Sequence, residues 1–157
     1  MLKVSKKLST TLSLTLAIFF FLCCIVGLFV LPTVTEMLID LPDNIGNRGQ
    51  ITQLGRTLSL VSAYCIVMDM MLADVLVFRL ISLVRKGEVF TDRAVSMIRG
   101  ISWCTIGLCI PFGFLGVYFQ LSWAMCFLAL FLGICLRVCK NAFEEATAIK
   151  QENDLTV

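Results

Sequence analysis

Residues 100–136, the 37 positions between Arg99 and Arg137, carry no charged side chain. As one helix rising 1.5 Å per residue, that stretch would measure about 55 Å, well beyond the roughly 30 Å hydrocarbon core of a bilayer. A water-soluble core has no use for such a run, because amphipathic helices and strands interrupt their apolar residues every few positions. The segment must cross lipid and fold back on itself. Composition points the same way: 59% of the residues are hydrophobic, 15% are charged and the mean hydropathy is +0.93, against roughly 45–50% apolar residues in a soluble domain. With a formal net charge of +2 and no histidine, no global basic field points to direct nucleic-acid binding.

Span length decides where the run folds back. A break at Pro111 would leave a first half of about twelve residues, too short to cross. A break at Gln120-Leu121-Ser122 instead gives spans over residues 101–119 and 122–139, the second lengthened by Arg137 reaching back to the interface. Pro111 then reads as a kink inside the third span. Two apolar runs come earlier: residues 10–31 have no charge, and residues 57–78 have only Asp69 and Asp74. A secretory signal competes for the first run, since Lys3, Lys6 and Lys7 precede it. The run is longer than a typical signal core and lacks a small-residue cleavage site, so it is expected to stay in the mature chain. The expectation is an all-α protein, a four-helix transmembrane bundle forming a single membrane domain over residues 1–157.

An even number of crossings puts both termini on one side. Of the 13 Lys and Arg residues, only Arg48 and Arg56 fall in the outer loop, residues 32–56; the other eleven lie at the opposite face. The positive-inside rule therefore predicts an N-in/C-in multi-pass membrane protein with both termini cytoplasmic, an inner loop over residues 79–100 and a tail over residues 140–157. In the outer loop, residues 33–41 between Pro32 and Pro42 read as a short amphipathic helix lying on the interface, followed by turns over residues 43–49. In the inner loop, Gly87 is placed to end the second helix, and Thr91 to cap the next with Asp92 complementing its dipole. After Cys139 the helix is expected to extend about three turns into the cytoplasm on a face of Phe143, Ala146 and Ile149. Asn153-Asp154 should stop it, leaving Leu155-Thr156-Val157 as a short β-prone end that either docks on a partner or packs on its own inner loop.

Chemistry-bearing patterns are scarce. All eight cysteines, Cys23, Cys24, Cys65, Cys104, Cys109, Cys126, Cys135 and Cys139, fall in or beside the spans and read as small apolar packers. No CxxC pair, phosphate-binding loop or nucleophile elbow is present, so neither a metal, nor a cofactor, nor an enzymatic activity is expected. Gly107, Gly113 and Gly116 lack the GxxxG spacing and read as helix-packing positions within the bundle. The anomaly is Asp69 with Asp74, since a carboxylate in a span costs roughly 2.5–3.5 kcal/mol on insertion scales. Five residues apart on a helix, the two point about 140° away from each other and cannot form one dyad. Asp74 is expected to pair with Arg137 at a similar depth, or with Arg79 on its own helix. Asp69 has no basic residue at its depth, which leaves a protonated acid bonded to a hydroxyl or carbonyl, or a water-filled cavity.

The corner Arg85-Lys86-Gly87-Glu88-Val89-Phe90-Thr91, the helix Asp92-Arg93-Ala94-Val95-Ser96-Met97-Ile98-Arg99 and the ending Glu152-Asn153-Asp154-Leu155-Thr156-Val157, with four spans, resemble the bacterial membrane proteins grouped as domain-of-unknown-function family 2975. The layout matches over nearly the whole chain; the terminal hexapeptide is its most specific part and the Lys-Gly-x-x-Phe-Thr corner the next. The resemblance does not extend to Asp69 and Asp74. Members are typically small four-span proteins without an assigned activity, often encoded beside a short helix-turn-helix regulator of the Xre type. The resemblance thus implies a non-enzymatic anchor or sensor in the lipid bilayer whose partner is such a regulator. Phe90, Thr91, Asn153, Asp154, Leu155, Thr156 and Val157 would supply the docking surface, and association into a homo-oligomer is left open. The alternative is a small transporter, channel or resistance/immunity component working through intramembrane Asp69 and Asp74, with Arg137 as the third polar residue at that depth.

Overall fold

Apolar runs without alternation become helices in a medium that cannot hydrogen-bond the backbone, and the computed structural model, which describes residues 6–39 and 52–155, is helical throughout its regular elements. The helices are α1 (Lys6–Ile39), α2 (Gln53–Arg85), α3 (Asp92–Gly107), α4 (Cys109–Leu115) and α5 (Gln120–Leu155). Four stretches are long and apolar enough to cross a membrane: Ser9–Ile39, Gln53–Arg85, Asp92–Leu115 and Gln120–Asn153. The third is built from α3 and α4 together.

The chain does not leave helix at Pro32. Thr33 to Ile39 continue α1 instead of forming a separate interfacial helix, because Thr35 and Ile39 bury against the start of α2 beside Arg56, Thr57 and Leu60. A proline removes one amide donor and orphans the carbonyl four residues earlier. That carbonyl belongs to Leu28, and the Tyr64 hydroxyl on α2 donates to it at 3.4 Å. The turns expected over residues 43–49 lie outside the described residues.

Pro111 acts differently. The carbonyl it would orphan is that of Gly107, the last residue of α3, and the helix breaks at Leu108 before resuming as α4. The fold-back then comes earlier than Gln120-Leu121-Ser122. Tyr118 and Phe119 donate to the Leu115 carbonyl at 3.0 and 2.8 Å, and α5 has begun by Gln120. Aromatic packing sets the position: the Trp123 indole lies 2.8 Å from where a Cβ on Gly116 would stand. Gly107 has open space around it and Gly113 only ordinary contact with Cys126, so of these three glycines one is a close-packing point.

Helix packing follows chain order. α1 runs antiparallel to α2, α2 packs on α3 and α4, and these pack on α5. α3, flanked on both sides, holds much of the buried interior: Ala94, Val95, Ile98, Ser102 and Cys104. The outward faces of α1 and α5 keep large apolar side chains such as Phe29 and Phe127, 82% and 67% exposed, as helices surrounded by lipid do. The tightest seam joins α3 to α5, where the buried Ser102 hydroxyl donates to the Gly133 carbonyl at 3.0 Å. A Cβ on Gly133 would lie 2.5 Å from Ile106 Cγ1 and 3.3 Å from the Ile106 backbone nitrogen.

Gly133→Ala should therefore destabilise the protein by about 1–3 kcal/mol through overpacking. Gly27→Ala, with nothing within 4 Å, should be neutral or stabilising. Unfolding midpoints in the same detergent micelles measure both, and equal midpoints would mean the seam is looser than described.

Candidate functional site at the helix corner

The link between α2 and α3 is short and hydrogen-bonded at both of its ends. Gly87, at φ +79°, takes the left-handed conformation that side chains avoid. It lets the Glu88 amide donate to the Leu83 carbonyl and its own amide to Val84, each at 3.1 Å, the paired pattern that closes a helix C-terminus. Thr91 opens α3: its hydroxyl oxygen accepts from the Ala94 amide at 3.3 Å and donates to the Glu88 carbonyl at 3.2 Å. Gly87 and Thr91 thus hold the places their sequence signals gave them, and the residue between them that matters most is Phe90.

Phe90 reaches across to α5 and stacks on Phe143, centroid to centroid 6.0 Å and 27° between planes. Beside this stack, Glu144, the residue after Phe143, receives Arg99 of α3 at 3.2 Å and Lys140 of its own helix. The corner is thereby fastened to the extension of α5 by one aromatic and one ionic contact, and exposed pairs of the second kind contribute little, about 0–1 kcal/mol. The inward face of the extension is Phe143, Ala146 and Thr147; Ile149, expected on that face, is 54% exposed.

Asn153 and Asp154 do not end α5, which runs to Leu155. Neither residue is more than a weak helix breaker, and with no Gly or Pro present the backbone ladder persists. Asn153 and the backbone of Asp154 and Leu155 are therefore helical; Thr156 and Val157 lie outside the described residues, so Leu155 does not begin a β-prone end.

The intramembrane polar residues separate as helix geometry requires. Asp69 faces α3, with the Cys104 thiol against its carboxyl, while its Oδ2 is buried without a hydrogen-bond partner. Beside it is a cleft of about 440 Å³ lined by Val61, Ser62, Cys65, Gly107, Ile110, Pro111 and Phe114. Asp74 faces α1 in a cleft of about 230 Å³ shared with Ala17, Phe21 and Phe78. Arg137 is on α5 with its guanidinium 4.2 Å from the Trp103 ring centre. The expected pairing of Asp74 with Arg137 is not formed, because α3 stands between their helices, and Asp74 has no ion pair to Arg79 either among the described residues. Ser59, fully buried with an unpaired hydroxyl, gave no signal beyond a small residue in an apolar run. Cys109 and Cys126 do more than pack: each thiol donates to the other's backbone carbonyl, at 3.5 and 3.4 Å, joining α4 to α5.

A family model described as a protein of unknown function, DUF2975, matches residues 50–157. The chain belongs to the DUF2975 family. The match takes in α2 to α5, with the corner and the tail, and leaves α1 outside it. No curated protein and no solved structure matches the chain.

If the Phe90–Phe143 stack fastens the corner, a double-mutant cycle of Phe90→Ala and Phe143→Ala should give a coupling of about 0.5–1.5 kcal/mol beyond the single losses. Additive midpoints in thermal unfolding would show that the rings merely lie near each other.

Proposed function

We propose that this DUF2975 protein is a non-enzymatic membrane anchor or sensor that holds a small helix-turn-helix regulator, of the Xre type, against its corner and the extension of α5. In this reading the helices form an N-in/C-in transmembrane bundle in the bacterial cytoplasmic membrane, and the corner and extension are cytoplasmic. The observation that carries it is the extension itself. From Arg137 to Leu155, α5 continues for about 27 Å beyond the last residue of its uncharged stretch. It exposes Glu145, Ile149 and Glu152 and is braced at its base by Phe90 and Arg99. A helix held that far beyond the apolar zone is a surface for a protein partner rather than for lipid. The orientation is supported by the sequence count, eleven basic residues outside the first loop against Arg48 and Arg56 within it.

Deleting residues 152–157 should release a co-expressed regulator from the membrane fraction while the deleted protein keeps its thermal midpoint. Retention of the regulator by the shortened chain would remove residues 152–157 from the interface. A reporter joined after Val157 should be active in the cytoplasm; activity confined to the other side would reverse the orientation and with it the docking surface.

A second reading has one specific observation behind it. Asp69, with its unpartnered Oδ2 beside the 440 Å³ cleft, suits a proton or cation step in a small transporter, channel or immunity component. Asp69→Asn should then abolish flux or protection without affecting capture of the regulator. Unchanged protection in cells expressing the Asn variant at the normal level would leave Asp69 a structural link.

A further inference from the structure

Arg99 and Arg137 bound the uncharged run at its two ends in sequence, and antiparallel packing of α3 on α5 brings them to one place. Together with Ser102, Trp103, Lys140 and Asn141 they line a cleft of about 170 Å³ between the two helices. Three of the six residues are cations. Glu144 is the carboxylate that reaches them, meeting Arg99 and Lys140, while Arg137 lies over the Trp103 ring and meets no carboxylate among the described residues. The cleft thus holds three positive charges against one negative charge, and the formal excess has no partner among the described residues.

Its depth is set by the sequence. On both helices the uncharged stretch ends here, so the cleft lies where hydrocarbon gives way to headgroups. Trp103, 57% exposed, is the residue type that settles at that level. One turn before Arg137 on α5, Ile134 stays exposed and belongs to the apolar surface of the uncharged part of the helix.

We propose that the α3–α5 cleft binds the phosphate headgroup of an anionic phospholipid, with Arg99, Arg137 and Lys140 as its cationic walls and the lipid's acyl chains against Ile134 and the helix surface beyond. Guanidinium groups match phosphate oxygens in pairs, and a basic cleft between membrane helices at the interface selects anionic headgroups. Free inorganic phosphate offers the same oxygens but leaves the adjoining apolar surface uncovered. The site is independent of the regulator proposal, since it requires neither a given orientation nor a protein partner. Glu144 is its internal competitor: it occupies Arg99 and Lys140 until an anion displaces it.

The experiment uses the full chain with Trp123→Phe, which leaves Trp103 as the single tryptophan of the two, in nanodiscs of phosphatidylcholine. A small fraction of the lipid is brominated, either as phosphatidylglycerol or as phosphatidylcholine, and quenching of Trp103 gives the relative affinity. Preference for the anionic lipid is expected on the order of fivefold for each engaged cation. Arg137→Gln with Lys140→Gln should bring it to parity, and Glu144→Gln should raise it. Because Glu144→Gln is a gain, a folding defect cannot imitate it, and the ratio of the two lipids corrects for changes in indole brightness. Equal quenching by the two lipids, an unchanged preference in the double variant, or a preference unmoved by Glu144→Gln would each overturn the site. Loss of the preference in excess inorganic phosphate at constant ionic strength would assign the cleft to a free anion and overturn the lipid assignment.

Discussion

Within hydrocarbon a backbone carbonyl has no water to turn to, and each one must find a donor inside the protein. This constraint organises the molecule most visibly at its two prolines inside the spans. Pro32 orphans the Leu28 carbonyl and α1 stays whole, because the Tyr64 hydroxyl arrives from α2. Pro111 orphans the Gly107 carbonyl and the helix divides at Leu108. One residue type thus sits within a continuous helix in one case and at a break in the other, and among the described residues only the first has a hydroxyl from the neighbouring helix on the orphaned carbonyl.

The break has consequences for packing. Dividing the third span into α3 and α4 lets both pieces lie against α2 on one side and α5 on the other. α3 becomes the interior helix, and the polar groups within the spans turn towards it or are isolated by it. Ser102 bonds to Gly133, Asp69 meets Cys104, and Arg137 lies on Trp103. Asp74, on the side of α2 turned away from α3, is left among the apolar residues of α1. A charge pair inferred from matching depth alone overlooks which helix stands between the partners, and depth was all that the sequence offered for Asp74 and Arg137.

What could be read from the residues in advance followed from local rules. Apolar length gave the four apolar helices, Gly87 and Thr91 marked the corner, and a five-residue separation put Asp69 and Asp74 on different faces. Each of these depends on a segment and its own chemistry. What escaped depends on distant partners: Tyr64 rescuing Pro32, Trp123 over Gly116 drawing the fold-back to residues 116–119, Ile106 against Gly133, Phe90 on Phe143. The helical continuation through Asn153 and Asp154 is the exception. There a local signal was present but overrated, since a few tenths of a kcal/mol per residue does not stop a helix already 33 residues long at Glu152.

The corner end combines two surfaces on the same turns of α5. Phe143 and the helix beyond it face the corner and water, whereas Arg137 and Lys140 face the cleft at the edge of the uncharged run. Glu144 belongs to both: it ties Lys140 and Arg99 together and adjoins Phe143. In the proposed lipid site, an anion entering the cleft would compete with Glu144 for those two cations. The ionic contact between α3 and α5 is exposed and weak, which is what an exchange of partners requires; a buried, fully satisfied pair would hold its geometry and couple nothing. Through this one side chain, the composition of the surrounding lipid would bear on the charge presented by the extension.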